Sequence, residues 1–211
     1  MTQAAHTLAH TKVTREDWLQ AARDILVQDG VGEVKILTMG DQLGVSRSSF
    51  YWYFKNRDDL LNALLQEWES RNTTLLVAHC QMAATNITEA VCNFFRCFIS
   101  KHGFDQRLDF AVREWSRRDG SVRSRIDIAD GERITAVAEM FSRYGYGDVE
   151  ADARARILYF MQLGYHALEV REGMDVRMAR LEPYVEGFTG RVPDPVAIKV
   201  FKKFAFRENQ S

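Results

Sequence analysis

The run Ser46-Arg47-Ser48-Ser49-Phe50-Tyr51-Trp52-Tyr53-Phe54-Lys55-Asn56-Arg57 sets three cations, hydroxyls, phenols and an indole side by side without one carboxylate. Nearly every polar group in it can donate a hydrogen bond. Phosphate oxygens and the edges of base pairs are mostly acceptors, so such a run suits contact with nucleic acid. The patch carries about +3 on a chain whose formal net charge is −1. An ordinary solvated face is the alternative for a basic patch alone; the sequence around it favours DNA. Gly44-Val45 lies immediately before the run, where a tight turn between two short helices needs Gly, and Ser46 offers a hydroxyl as N-cap. Residues 36–65 therefore read as a short helix, a turn, a second short helix and a long amphipathic helix.

No comparable constellation suggests catalysis. His6, His10, His79, His102 and His166 are scattered, and only His6 and His10 share the i, i+4 spacing of a helical metal site. There is no phosphate loop, nucleophile elbow or HExxH. The chain is expected not to be an enzyme and to need no cofactor and no metal. Cys80, Cys92 and Cys97 form no CxxC pair and read as buried thiols in a reducing compartment, with a redox sensor the lesser alternative. No apolar run is long enough to span a bilayer, and the first dozen residues lack a signal peptide's basic and apolar segments. A cytoplasmic protein without a membrane partner is expected.

The elements that must position the donor run are helical. Trp18, Ala21, Ala22 and Ile25 recur at i, i+3, i+4, i+7 on a helix from about residue 12 to 29, with Thr14 and Asp17 spaced as a capping box and Gly30 as its stop. A long helix over 57–83 begins with Leu60, Leu61 and Leu64 and continues with Trp68, Leu75, Leu76 and His79. It is thus expected to serve two cores without a linker. Further helices are expected over 87–102, 108–118, 121–144, 149–172 and 177–188, with breaks at Gly103, Asp119-Gly120, Gly145-Tyr146-Gly147 and Gly173. Asp194-Pro195 starts a short accessory helix with Val196, Val200 and Phe204 on one face. Strand-like alternation and internal repeats do not stand out.

Over residues 12–68 the chain resembles the tetracycline-repressor (TetR) family of bacterial transcriptional regulators. The resemblance rests on Trp18, Ala21, Ala22, Ile25, Gly30, Met39, Leu43, Gly44, Val45, Ser46, Phe50-Tyr51, Phe54, Lys55, Asn56, Arg57, Leu60 and Leu61. Tyr51 through Arg57 is a close variant of the family's Tyr-x-x-Phe-x-x-Lys signature, with Arg57 in place of its usual Lys. Lys35 stands where the family commonly has a capping Ser or Thr, and Ile36 and Leu37 where polar residues are frequent. Gly40 replaces a small Ala, at about 1 kcal/mol of helix propensity. The second helix is therefore expected to start irregularly. The resemblance implies an all-α fold, an N-terminal helix-turn-helix domain followed by a helical effector-binding and dimerisation domain. The expected divisions are an arm over 1–12, the DNA-binding domain over 13–58, the effector and dimer domain over 59–190 and a tail over 191–211.

The function so implied is a dimeric, sequence-specific DNA-binding regulator, a repressor released by a small molecule; a regulator without such an effector is the alternative. Its partner is double-stranded DNA carrying an inverted repeat. Expected DNA contacts are Lys35, Thr38, Ser46, Arg47, Ser48, Ser49, Tyr51, Trp52, Tyr53, Lys55 and Arg57, with Arg47 reading a base, Ser49, Tyr51, Tyr53, Lys55 and Arg57 clamping phosphates, and Thr38 and Lys35 making the second helix's phosphate contacts. The segment 157–168, apolar nearly all round, should bury one face in its own core and the other against a second copy. The homodimer interface is assigned to Leu158, Met161, Gln162, Tyr165, Leu181, Tyr184 and Val185. A small apolar or aromatic effector is assigned to a pocket of Trp68, Asn72, Leu76, His79, Phe94, Phe98, Phe110, Trp115, Phe141 and Tyr144. Each of these aromatics taken singly reads as core. Asp127, Asp130 and Glu132 read as a solvated helix face.

Overall fold

The computed structural model describes residues 13–210, and among them it contains eleven α-helices and no strand. The arm expected over 1–12, with Lys12 and the His6–His10 pair, lies outside the described residues. The chain forms two compact units, one up to Leu65 and one from Gln66 onward.

The first unit holds α1 (Arg15–Asp29), α2 (Ile36–Leu43) and the start of α3 (Arg57–Trp68). The capping box forms as spaced: the Asp17 amide donates to Thr14 Oγ1 at 3.2 Å and the Thr14 amide to Asp17 Oδ2 at 2.7 Å. Trp18, Ala22, Ile25 and Leu26 of α1 are buried with Met39, Phe50, Phe54, Leu60 and Leu64. Trp18 meets Phe50 edge-on, with ring centroids 5.2 Å apart, and Phe50 stacks on Phe54 at 5.4 Å. Aromatic packing thus fixes the donor run from beneath.

The second unit continues the same helical backbone through a π-helical turn, Glu69–Thr73, into α4 (Thr74–Gln81). The expected single α-helix over 57–83 is thus α-helical at both ends and widened in the middle, where Asn72 and Thr73 turn inward and are buried. Then come α5 (Ile87–Ile99), α6 (Gln106–Ser116), α7 (Gly120–Ser142), α8 (Asp148–Ala167), α9 (Met174–Ala179), α10 (Leu181–Thr189) and α11 (Pro195–Gln210). Each interhelical break has a local cause. Asn86, Asp105 and Asp119 cap α5, α6 and α7 with their side chains.

Three expectations change. The helix placed over 149–172 ends at Ala167, because Glu169 adopts φ 47° and leaves Glu169–Glu172 in a loop. The helix placed over 177–188 is two helices that meet at Arg180. Pro183 cannot donate to the carbonyl of Ala179, so the ladder is interrupted there. The short accessory helix is the 16-residue α11. Its Ile198, Phe201 and Ala205 are buried in the second unit's core with Phe94 and Cys97, so it is a full member of that unit.

Candidate nucleic-acid interface and the interior of the second unit

The turn before the donor run is built on glycine. Gly44 sits at φ 66°, ψ 30°, the left-handed region that Gly enters without penalty, and the amide of Val45 donates to the carbonyl of Gly40 at 3.0 Å. A Cβ on Gly40 would stand 3.1 Å from the Val45 carbonyl oxygen, which gives that residue a reason beyond helix propensity. As expected, α2 starts without a side-chain cap: Lys35 occupies the N-cap position, and its ammonium pairs with Glu33 at 2.9 Å. Thr38 and Leu37 are exposed on α2.

The donor run differs from a regular α-helix. Arg47–Trp52 is a 3₁₀ helix, and the Ser46 hydroxyl does not cap it but shares a 2.7 Å hydrogen bond with the Ser48 hydroxyl. Arg47, Ser48, Tyr51, Trp52 and Lys55 are exposed, Trp52 by 71%. The side chains of Arg47 and Lys55 have no acidic partner among the described residues. Their cationic groups remain open to an external acceptor.

Three other expected contacts are occupied internally. Arg57 Nε donates to the Val34 carbonyl at 2.7 Å, and a second guanidinium nitrogen donates to the Val31 carbonyl. The Tyr53 hydroxyl donates to the Val13 carbonyl at 2.8 Å, and the Ser49 hydroxyl to the Ser46 carbonyl at 2.9 Å. These side chains tie the run to the start of α1, to the segment after it and to itself. Arg57 and Tyr53 are anchors of the surface rather than part of it.

Most of the residues assigned to an effector pocket are packed or hydrogen-bonded within the second unit. Trp68, Leu76, Phe94 and Phe141 are fully buried, and Phe141 packs edge-on against Tyr146. The polar members are satisfied inside the fold. Asn72 exchanges hydrogen bonds with the backbone of Asp105 at 3.0 and 2.9 Å, and His79 Nδ1 lies 2.8 Å from the Asn93 carbonyl. Trp115 donates to Asp119 at 3.2 Å and Tyr144 to the Ala84 carbonyl at 2.8 Å. Phe98 packs against Phe94 and Phe104, while Phe110 borders an open groove.

Beside them lies a buried charge cluster that the sequence did not reveal. Asp109 Oδ1 accepts from the Trp68 indole at 2.8 Å and from Arg133 Nη1 at 3.0 Å, while Oδ2 accepts from Arg113 Nε at 2.8 Å. Arg113 also grips Asp130 with two nitrogens at 2.9 and 2.6 Å, and Tyr159 donates to Asp130 at 2.7 Å. Arg133 Nε reaches Thr73 Oγ1 at 3.0 Å, and its guanidinium lies 5.2 Å from the Trp68 ring centre. Two arginines and two aspartates balance. The neighbouring arginines hold the Asp109 carboxyl below the usual carboxylate range against the opposing effect of burial. Asp130, read as part of a solvated face, belongs to this cluster. Its only sequence signal is the spacing of Arg113 four residues after Asp109 and of Arg133 three after Asp130.

The assigned dimer residues divide. Leu158, Leu181 and Val185 are core, and Gln162 is buried beside His166. Met161, Gln162, Tyr165, Leu181 and Tyr184 line a cavity within the unit. The exposed apolar face of α8 lies opposite, with Val149, Ile157, Phe160 and Leu168 between 50 and 86% exposed. Burial pushes the thiols of Cys80, Cys92 and Cys97 up to about 12, and all three are free. Among the described residues no helix is long and apolar enough to cross a membrane, and no cluster of side chains forms a metal site.

Residues 19–64, nearly all of the first unit's helical framework, match the family model described as bacterial regulatory proteins, tetR family. Over those residues the chain is similar to the TetR family, and its second unit is all-helical. Among its relatives is an HTH-type transcriptional repressor of Mycobacterium tuberculosis, Rv1353c, 36% identical over 52 residues, 25% of this chain and 20% of that protein. The chain thus spans about a fifth of the length of the first curated relatives it matches. In fold it is similar to the fatty acid degradation regulator FadR from Bacillus halodurans, with a TM-score of 0.61 at 16% identity over 85% of this chain and 97% of FadR. It is also similar to AibR in complex with isovaleryl coenzyme A and operator DNA, with a TM-score of 0.58 at 16% identity over 83% and 96%.

Proposed function

We propose that this protein is a homodimeric, sequence-specific DNA-binding regulator, a repressor whose hold on DNA is relieved by a small molecule. The observation that carries the reading is the exposed, acid-free face of Arg47, Ser48, Tyr51 and Lys55 on a unit that matches the family's DNA-binding model. Arg47 is assigned to a base edge, where a guanidinium can bridge O6 and N7 of guanine. Thr38, Lys35, Ser46, Ser48, Tyr51, Trp52 and Lys55 are assigned to the backbone. Arg57, Tyr53 and Ser49 act one step behind, by holding the run in shape. The protein works in the cytoplasm, on chromosomal DNA.

The second copy is assigned to the outer face of α8, formed by Val149, Ala153, Ile157, Phe160, Gly164 and Leu168, with Pro183, Tyr184 and Gly187 of α10 beside it. These residues replace the buried Leu158, Leu181 and Val185 of the sequence reading. A two-fold dimer reads an inverted repeat with half-sites about 34–36 Å apart or a multiple of that.

Release requires an effector that binds the DNA-incompetent arrangement more tightly than the competent one. The helical backbone running from Arg57 to Gln81 supports such coupling, since it belongs to both units without a break in the chain's helical path. The filled interior around Trp68 favours the second reading, a regulator without a small effector, unless the ligand enters elsewhere. Gel shifts on the DNA upstream of the protein's own gene, with and without a metabolite library, separate the two. Retardation reversed by a metabolite supports release by a ligand. Retardation that no metabolite or extract reverses supports the second reading, and no retardation on any DNA overturns both.

A further inference from the structure

The second unit carries a two-part cleft on the side formed by α5, α6, α8, α9, α10 and α11. Its inner part is an apolar cavity of about 60 Å³ walled by Phe95, Ile99, Met161, Met178, Leu181 and Phe201. Its outer part is an open groove of about 570 Å³ bordered by Arg107, Phe110, His166, Arg171 and Arg177. Tyr165 and Arg177 line both parts, so the two are contiguous. The early end of α8 creates the groove: the chain turns out at Glu169, and the loop to Glu172 becomes its rim.

The charges there are uneven. Glu169 is held by Arg171 at 3.0 Å, and Glu172 by Arg180 and by the Tyr165 hydroxyl. Both acids therefore have cationic partners of their own. Arg107 and Arg177 do not pair with a carboxylate among the described residues, and Arg177 instead lies 5.3 Å over the Tyr165 ring. Arg107 and Arg177 border the groove together with Glu169, and Arg177 borders the cavity with Glu172; with each acid held by another arginine, the two guanidiniums offer forked, charge-assisted hydrogen bonds to an oxyanion. The neighbouring cavity, lined mainly by apolar side chains, admits a short apolar group.

We infer that this cleft binds an amphipathic anion, with a tail of a few carbons in the Phe95–Met161–Leu181 cavity and an oxyanionic head on Arg107 and Arg177. The inference rests on the regulator reading only in making this anion the effector. It also relocates the effector from the filled interior around Trp68 and Trp115 to the cleft at the C-terminal end of α8.

The test is calorimetric titration of the full chain with hexanoate, hexanoyl coenzyme A and neutral hexanamide. At least one of the two anions should bind tenfold or more tightly than hexanamide. If hexanoate suffices, the head is a free carboxylate; if only the thioester binds, the head is the carrier's phosphates. The double variant R107A/R177A should lose that preference tenfold or more while keeping its helical circular dichroism, since Arg107 is exposed and neither arginine makes an ion pair among the described residues. Met161→Trp, which fills the cavity, should weaken binding of the same anion. Equal binding of hexanamide and both anions, or wild-type anion binding by R107A/R177A, overturns the inference. DNA titrations run alongside keep the two readings apart. DNA binding without anion selectivity sinks this site and leaves the regulator. Anion selectivity without DNA binding sustains the site and sinks the regulator.

Discussion

Arginine, tyrosine and hydroxyl side chains crowd together twice in this molecule, in the run from Ser46 to Arg57 and in the cluster joining Trp68, Asp109, Arg113, Asp130, Arg133 and Tyr159. In the first, Arg47 and Lys55 stand in solvent without an acidic partner. In the second, Arg133 is fully buried, and each arginine is matched by an aspartate within 3.0 Å. What separates the two is the supply of acid. Donors with carboxylates near them turn inward and hold the fold, and donors without them remain available to an outside acceptor. Arg57 and Tyr53 show the same rule in miniature. They lie within the acid-free run, yet backbone carbonyls take the place of carboxylates, and the side chains become anchors.

The largest effect should come from breaking the inward cluster. Asp109→Ala leaves Arg113 and Arg133 facing each other without their shared partner, and loss of one member of a buried pair typically costs about 3–5 kcal/mol. Urea unfolding should register that loss; a change under about 1 kcal/mol would mean the cluster is solvated and the contrast false. Arg57→Ala and Lys55→Ala sharpen the comparison inside the donor run. The first should destabilise the folded protein by about 1.5–3 kcal/mol, the scale of hydrogen bonds from a charged donor. The second should leave thermal stability alone and lower the salt dependence of DNA binding by about one unit of slope. The reverse pattern would exchange their roles.

Phe160→Glu tests whether the outward apolar face of α8 is covered by a second copy. Sedimentation should show monomers where the parent chain is a dimer, with circular dichroism unchanged because Phe160 is half exposed. A dimer that survives the substitution would move the interface elsewhere.

A smaller effect concerns acid. Burial pushes the His166 imidazole down to about 4, with Asp109 pulling it up and Arg177 down, and Phe98 and Gln162 packed beside it. Its folded pKa is depressed, so folded and unfolded chains bind the same number of protons above about pH 6.5. As pH falls from there toward 4, only the unfolded chain takes up the proton, and stability declines. Replacing His166 by Gln should flatten that part of the stability profile; an unchanged profile would remove His166 as its cause.

Much of this architecture could be read from local grammar. The Thr14–Asp17 capping box, the Gly44 turn and the breaks at Asp119-Gly120 and Gly173 all depend on residues a few positions apart. The features missed depend on partners far along the chain. No local pattern tells that Arg133 meets Thr73 and Asp109, or that Tyr53 reaches Val13. Helical periodicity over 157–168 shows apolar residues on both faces but does not tell which one the core takes: Leu158 is buried and Phe160 exposed. Pro183 is the local signal for the break at Arg180, within an otherwise periodic stretch.

The most direct test of the account is selection of bound duplexes from a random DNA pool by the intact protein, followed by titration of the parent chain and Arg47→Ala on the selected and on unrelated DNA. The account predicts enrichment of an inverted repeat, a loss of about 1–3 kcal/mol for Arg47→Ala on that repeat, and a much smaller loss on unrelated DNA. No enrichment, together with equal affinity of both proteins for every duplex, would contradict it.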